Sequence, residues 1–121
     1  MSSLFRILEK QGKDIKEIYD EQNISGNIYM AVLDYIDEHD IVFDFLENFD
    51  GNPNSYAMEI FHNEGCQALE LLDRKDLDIE ELADEWEYNA GDLLYGIKIM
   101  SDNLRWLSSQ SDKTTLIVEI Y

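Results

Sequence analysis

Leu93-Leu94-Tyr95-Gly96-Ile97-Lys98-Ile99-Met100-Ser101-Asp102-Asn103-Leu104-Arg105-Trp106-Leu107 is the most regular stretch of the chain. Its residues Leu93, Ile97, Met100, Leu104 and Leu107 are spaced 4, 3, 4 and 3 apart, which puts them on one face of an α-helix. The spacing predicts a helix of about four to five turns, with Leu94 and Trp106 beside the stripe, forming the spine of the core. A coiled-coil seam is the weaker reading, because such seams need roughly three to four heptads. Just beyond, Thr114-Thr115-Leu116-Ile117-Val118-Glu119-Ile120-Tyr121 is β-branched and aromatic and reads as a strand. A strand alone leaves its backbone ladder unpaired. It therefore has to pair with Ile41–Phe45, with Ile28–Val32 or with another copy, or add to a partner's sheet.

Upstream the pattern also favours helices. Asp78 followed by Glu81 is a capping pair, with Asp in place of the usual Ser or Thr. It opens a helix over Ile79–Tyr88 that buries Leu82 and Trp86, and Asn89-Ala90-Gly91 breaks it. Asp50–Ser55, with Gly51 and Pro53, is the clearest loop. Asn54 or Ser55 then caps a helix to about Leu72, with Tyr56, Ile60, Cys66 and Leu69 inward and Gly65 weakening its middle. Ile28–Glu38 and Ile41–Phe49 both carry helical stripes, although each also contains a strand-like run. Leu4–Lys10 reads as a helix behind a Ser2/Ser3 cap, and Asp14 caps another through Ile15, Ile18 and Tyr19, before a turn at Asn23–Asn27. These elements predict a mainly α domain of five to six helices with a C-terminal strand, the alternative being α+β with a small sheet. No linker or solenoid-length repeat interrupts residues 1–121, so one domain is expected.

Charge narrows the function classes. Nine Lys and Arg against 27 Asp and Glu give −18 over 121 residues. Phosphate contacts need Lys and Arg, so direct nucleic-acid binding is not expected. Anionic headgroups would repel the chain, and its longest apolar run, Ile28–Leu33, is far short of the roughly 20 residues of a membrane helix. The absence of an export-type apolar run behind Met1 and the single Cys66 point to a cytoplasmic protein.

The acids are also unevenly placed. From Glu17 to Asp73, 57 residues carry 14 acids and no Lys or Arg. From Asp76 to Ile97 there are eight acids and again no Lys or Arg. On a helix, i,i+4 pairs of like charge destabilise by a few tenths of a kcal/mol. Asp34, Asp37, Glu38, Asp40, Asp44 and Glu47 would form one patch on a helix–turn–helix, and Glu80, Glu81, Asp84, Glu85 and Glu87 a second. Solubility alone, or a halophilic origin, accounts for many acidic surfaces. An asymmetry this large instead suggests attraction to a cationic surface. Tyr35 and Tyr88 border the two patches and are candidate anchors, together with Tyr29, Tyr56 and Tyr95.

The residues offer little for catalysis. His62 in Glu59-Ile60-Phe61-His62 is a lone Glu-x-x-His element, where a di-metal bundle needs two. His62, Cys66 and His39 are too few ligands for zinc. Centring a calcium loop on Gly51 puts Leu46 where an Asp is required. Nucleophile elbows, phosphate loops and dinucleotide fingerprints are missing. The expectation is a non-catalytic acidic inhibitor without metal or cofactor, monomeric or homodimeric, masking a basic protein partner that binds nucleic acid. Its leading form is an immunity protein against a nuclease toxin. The alternatives are a phage- or plasmid-encoded DNA mimic and a small subunit that binds through its C-terminal strand.

Overall fold

The structure, a computed structural model, describes residues 2–47 and 56–120. The chain begins with strands β1 (Ser2–Gln11) and β2 (Asp14–Ser25), then helix α1 (Gly26–Glu38) and strands β3 (Asp44–Glu47) and β4 (Tyr56–Ile60). Helices α2 (His62–Leu72), α3 (Ile79–Glu85) and α4 (Ala90–Ser108) follow, and β5 (Thr114–Ile120) ends the described chain. The strands form one sheet in the order β2-β1-β5-β4-β3, and every neighbouring pair is antiparallel. This α+β fold, with four described helices on a five-stranded sheet, replaces the expected mainly α domain of five to six helices.

The correction falls on short apolar runs. Leu4–Lys10 and Asp14–Tyr19 are strands, not helices, because β1 gains two partners: Ile7 lies opposite Tyr19 on one side and Val118 on the other. Ile7 and Leu8 are both buried, yet they point to opposite faces of the sheet, as successive strand residues must. Ladder register slips twice near Phe5–Leu8, each time with an extra residue in β2, which bends and twists the hairpin. Ile41–Phe49 is not a helix either; its described part contains β3, paired with β4. The helix expected from Asn54 or Ser55 starts later, at His62, because Tyr56–Ile60 is held extended between β3 and β5. β5 pairs with β1 and β4, none of the partners expected for it. The loop expected at Asp50–Ser55, and the caps at Asn54 and Ser55, lie outside the described residues.

Strong local signals hold. Asp78 accepts a hydrogen bond from the Glu81 amide at 3.0 Å and caps α3. Asn89 opens α4, its side chain accepting from the amides of Gly91 and Asp92 at 2.9 and 3.2 Å, so the expected break is in fact a cap. Leu93, Ile97, Met100, Leu104 and Leu107 are all buried at the centre of the helical layer. They join Val32 and Ile36 of α1, Ala68 and Leu71 of α2, Ala83 of α3 and the sheet residues Ile7, Met58, Ile60, Leu116 and Val118 in one core. Gly65 allows α2 to approach α4 closely, since a β-carbon there would come within 2.6 Å of Leu107 Cδ2.

The opposite face of the sheet carries no described helix. Leu8, Ala57 and Ile117 form a small separate cluster with Leu46. Long charged side chains surround it in pairs. Arg6 Nη2 lies 2.8 Å from Glu119 Oε1, and Lys10 Nζ lies 3.4 Å from Glu59 Oε2, which also accepts from Thr115 Oγ1 at 2.8 Å. The stems of such residues cover apolar surface while their heads meet each other. Among the described residues, no helix is long and apolar enough to cross a membrane.

Candidate functional site

α1 is amphipathic by spacing. Ile28, Tyr29, Val32, Leu33 and Ile36 face the core, while Met30, Asp34, Asp37 and Glu38 face outward. α3 does the same over two turns, with Ala83 buried and Glu80, Glu81, Asp84 and Glu85 exposed. Both helices pack against α4, and their C-terminal ends meet. Tyr35, in the last turn of α1, makes an edge-to-face contact with Trp86, the C-cap of α3, at a centroid distance of 5.8 Å and an interplanar angle of 62°. On its other side Tyr35 packs edge-on against His39 at 4.6 Å, and His39 Nδ1 lies 2.9 Å from the Tyr35 carbonyl oxygen.

This junction gathers negative charge where a helix disfavours it. A helix C-terminus carries roughly half a negative charge from its unpaired carbonyls, so cations stabilise it and anions do not. Neither helix has a basic residue in its last turn. In their place α1 ends with Asp37, Glu38 and Asp40, and α3 with Asp84, Glu85 and Glu87. None of these six acids, nor Asp34, Glu80, Glu81 or Asp44, forms an ion pair with a described residue. The described pairs are Arg6–Glu119, Lys10–Glu59, and Arg105 with Asp73 and Asp102.

Two of the acids also sit on strained backbone. Asp40 has φ 63° and Glu87 φ 61°, the left-handed region where a β-carbon costs about 1–2 kcal/mol. Glu87 occupies the position after the α3 cap. The Tyr88 amide reaches the Ala83 carbonyl at 2.8 Å and the Glu87 amide reaches Asp84 at 3.3 Å, a Schellman closure that normally uses glycine.

Between the helices lies a hollow of about 240 Å³ lined by Tyr35, Arg74, Asp76, Leu77, Asp78, Glu81, Leu82 and Glu85. A second, of about 220 Å³, lies between His39, Ile41, Gln67, Glu70, Leu71 and Arg74. Arg74 borders both, and it forms no ion pair with a described residue.

Of the sequence-predicted residues, the fold brings Tyr35, Glu81 and Glu85 to one hollow. Asp34, Asp37, Glu38 and Asp40 on and just after α1, and Glu80, Asp84 and Glu87 on and just after α3, are exposed outside that hollow. Asp44 does not join them. It stands on β3 opposite Glu59, on the sheet side of Leu46 and Ala57, so the helix–turn–helix expected for Asp34–Glu47 does not form. The Glu47 and Tyr56 side chains lie outside the described residues. Tyr88 is half-buried against the core, Tyr29 is buried and Tyr95 is exposed. The sequence reading missed Asp76, Leu77 and Arg74 as lining residues and placed Leu82 and Trp86 in the core alone. The alternation Asp76-Leu77-Asp78 ahead of the helix was the available signal.

Elsewhere, Cys66 Sγ lies 3.9 Å from His62 Nδ1 on α2. Among the described residues, no group of three or more His, Cys, Asp or Glu is placed to hold a metal. Comparison with protein-family models, with curated proteins and with solved structures returned no match. The site is therefore read from its own chemistry.

Proposed function

We propose that this chain is a non-catalytic acidic binding protein that masks a basic, nucleic-acid-binding surface of a partner, as an immunity protein does for a nuclease toxin. The observation that supports this reading is the convergence of two helix C-termini bearing six exposed carboxylates without described cationic partners. Each element of that arrangement costs the folded chain something: like-charge repulsion, an unfavourable dipole end, and two left-handed residues where glycine is easier. A cationic surface docked there would relieve the first two costs at once. Its approach would be steered over long range, with Tyr35 and Trp86 giving the contact a rigid aromatic centre. A DNA mimic would use the same physics, but it needs carboxylates spread along an elongated track. Their gathering at one junction favours a partner with a single basic cleft that this chain would fill. β5 is flanked by β1 and β4, so a partner strand would have to add at β2 or β3 instead.

The test is kinetic. A basic protein captured at low ionic strength is purified, and its association rate is followed as salt rises through about 0.15 M, where the Debye length is about 8 Å. The rate should fall steeply. The variants Asp37→Lys/Glu38→Lys and Asp84→Lys/Glu85→Lys should each slow association by about tenfold or more while leaving the circular-dichroism spectrum unchanged. A salt-insensitive association rate, retained in both variants, would refute the reading.

A further inference from the structure

We infer that the outer edge of β2 pairs with the same edge of a second copy of this chain, antiparallel about a twofold axis at Ile15, so that two sheets join into one. β2 is an outer strand of the sheet, and an outer strand offers its backbone N–H and C=O groups to another chain unless bulges or charges guard it. Both slips in the β1–β2 ladder lie beyond Glu17, whereas residues 14–17 run in unbroken register with residues 11–8. The turn between them has two residues, Gly12 and Lys13, and Gly12 supplies the positive φ of 62° that such a turn needs. A two-residue turn closes on a hydrogen-bonded pair, here Gln11 with Asp14. Bonding direction alternates along a strand, so the amide and carbonyl of Ile15 point away from β1. The Ile15 side chain is 48% exposed.

Charge selects the register. Residues with outward backbone groups must face one another, so the twofold passes through a residue and not between two. An axis at Asp14, Lys16 or Glu17 would set that charge against itself. An axis at Ile15 sets Ile15 against Ile15, Asp14 against Lys16, and Lys13, at the turn, against Glu17 of the second copy. Opposite charges facing across antiparallel strands attract, and like charges repel. None of these four charged residues forms an ion pair with a described residue. Local charge also favours a second copy over a basic partner. Residues 9–17 carry three Lys against three acids, so this edge is neutral in a chain of net charge −18. The other outer strand, β3, reads Asp44-Phe45-Leu46-Glu47, and two copies would repel each other there.

The test is sedimentation velocity of the intact protein over a range of concentrations at about 0.15 M salt, where repulsion between the acidic bodies is screened beyond about 8 Å. The chain should show a concentration-dependent monomer–dimer equilibrium. Lys16→Asp and Asp14→Lys should each weaken dimerisation by about tenfold, because each leaves two like-charged pairs across the axis. An equimolar mixture of the two variants should form a heterodimer, since their charges then oppose, and Asp14→Lys/Lys16→Asp in one chain should restore the original dimer. A monomer at every concentration, a dimer indifferent to both single substitutions, or a mixture that stays monomeric would each overturn the inference. Those outcomes leave the masking function standing, because that function is judged by the salt dependence of the partner's association rate.

Discussion

The helix-free face of the sheet and the junction of α1 with α3 handle carboxylates in opposite ways. On the sheet, Glu59 and Glu119 are 7% and 4% exposed, and each lies against a cation of β1, next to Glu119 on β5 and across β5 from Glu59 on β4. At the junction the acids are exposed, and no described Lys or Arg pairs with them. Burial explains the first case, because a desolvated carboxylate without a counter-charge costs several kcal/mol. Water and salt screening permit the second, where each repulsion costs only tenths. The buried, paired acids thus serve stability, whereas the exposed, unpaired ones are tolerated at small cost.

The sharpest way to break this contrast is to remove a sheet cation. Arg6→Met should cost about 2–3 kcal/mol in urea unfolding, less than a fully buried pair would lose because the Arg6 side chain keeps 28% exposure. A loss below half a kcal/mol would show that the sheet pairs matter no more than surface ones.

Next comes a buried group under the acids of α1. Desolvation at Tyr29 pushes its phenol well above its ordinary value near 10, opposed in part by the Asn103 side chain. Its hydroxyl donates to Met100 Sδ at 3.7 Å. The unfolded chain therefore releases this proton first. Stability from Tyr29 is complete below pH 10 and should fall above it, by up to about 1.4 kcal/mol per pH unit. Tyr29→Phe should flatten that alkaline slope in denaturant midpoints measured from pH 9 to 11. An unchanged slope would mean that the phenol ionises freely in place.

A smaller effect is expected at the junction, and it has the opposite sign. Glu87→Gly should raise stability by about 1 kcal/mol by relieving the left-handed residue and should slow partner association. A stabilised variant with an undiminished association rate would exclude Glu87 from the interface. Smallest of all, Glu85→Gln at the end of α3 should stabilise by about 0.2–0.5 kcal/mol at low salt, a gain that vanishes as salt is added. A loss of stability would mean that this carboxylate makes favourable contacts inside the fold.

How far the sequence reaches depends on the range of the forces involved. Caps and long stripes act within a few residues, so Asp78 with Glu81, and Leu93 through Leu107, could be read directly. Leu4–Lys10 could not, because three apolar residues over two turns satisfy a helix face as well as a strand buried on both sides. Ile7 becomes a strand residue through Val118, which lies at the other end of the chain. Chain order made Asp44 and Glu47 look like companions of Asp34–Asp40, and the turn into β3 carries Asp44 to the other face of the sheet. For the site, composition marked α1 and α3 as acidic, but nothing local brings Tyr35 to Trp86. That contact exists because both helices rest on α4.

The sequence by itself determined the net charge of −18, the two acidic segments, the amphipathic helices α1, α3 and α4 and the extended C-terminal segment. These depend on residue type and on period, which are properties of neighbours along the chain. Tertiary structure alone decided that β5 runs between β1 and β4, that Glu59 and Glu119 receive their cations, and that the acidic ends of two helices converge on one aromatic contact. Those outcomes depend on distant segments competing to cover the same apolar surface, and a competition of that kind is resolved only when the chain folds.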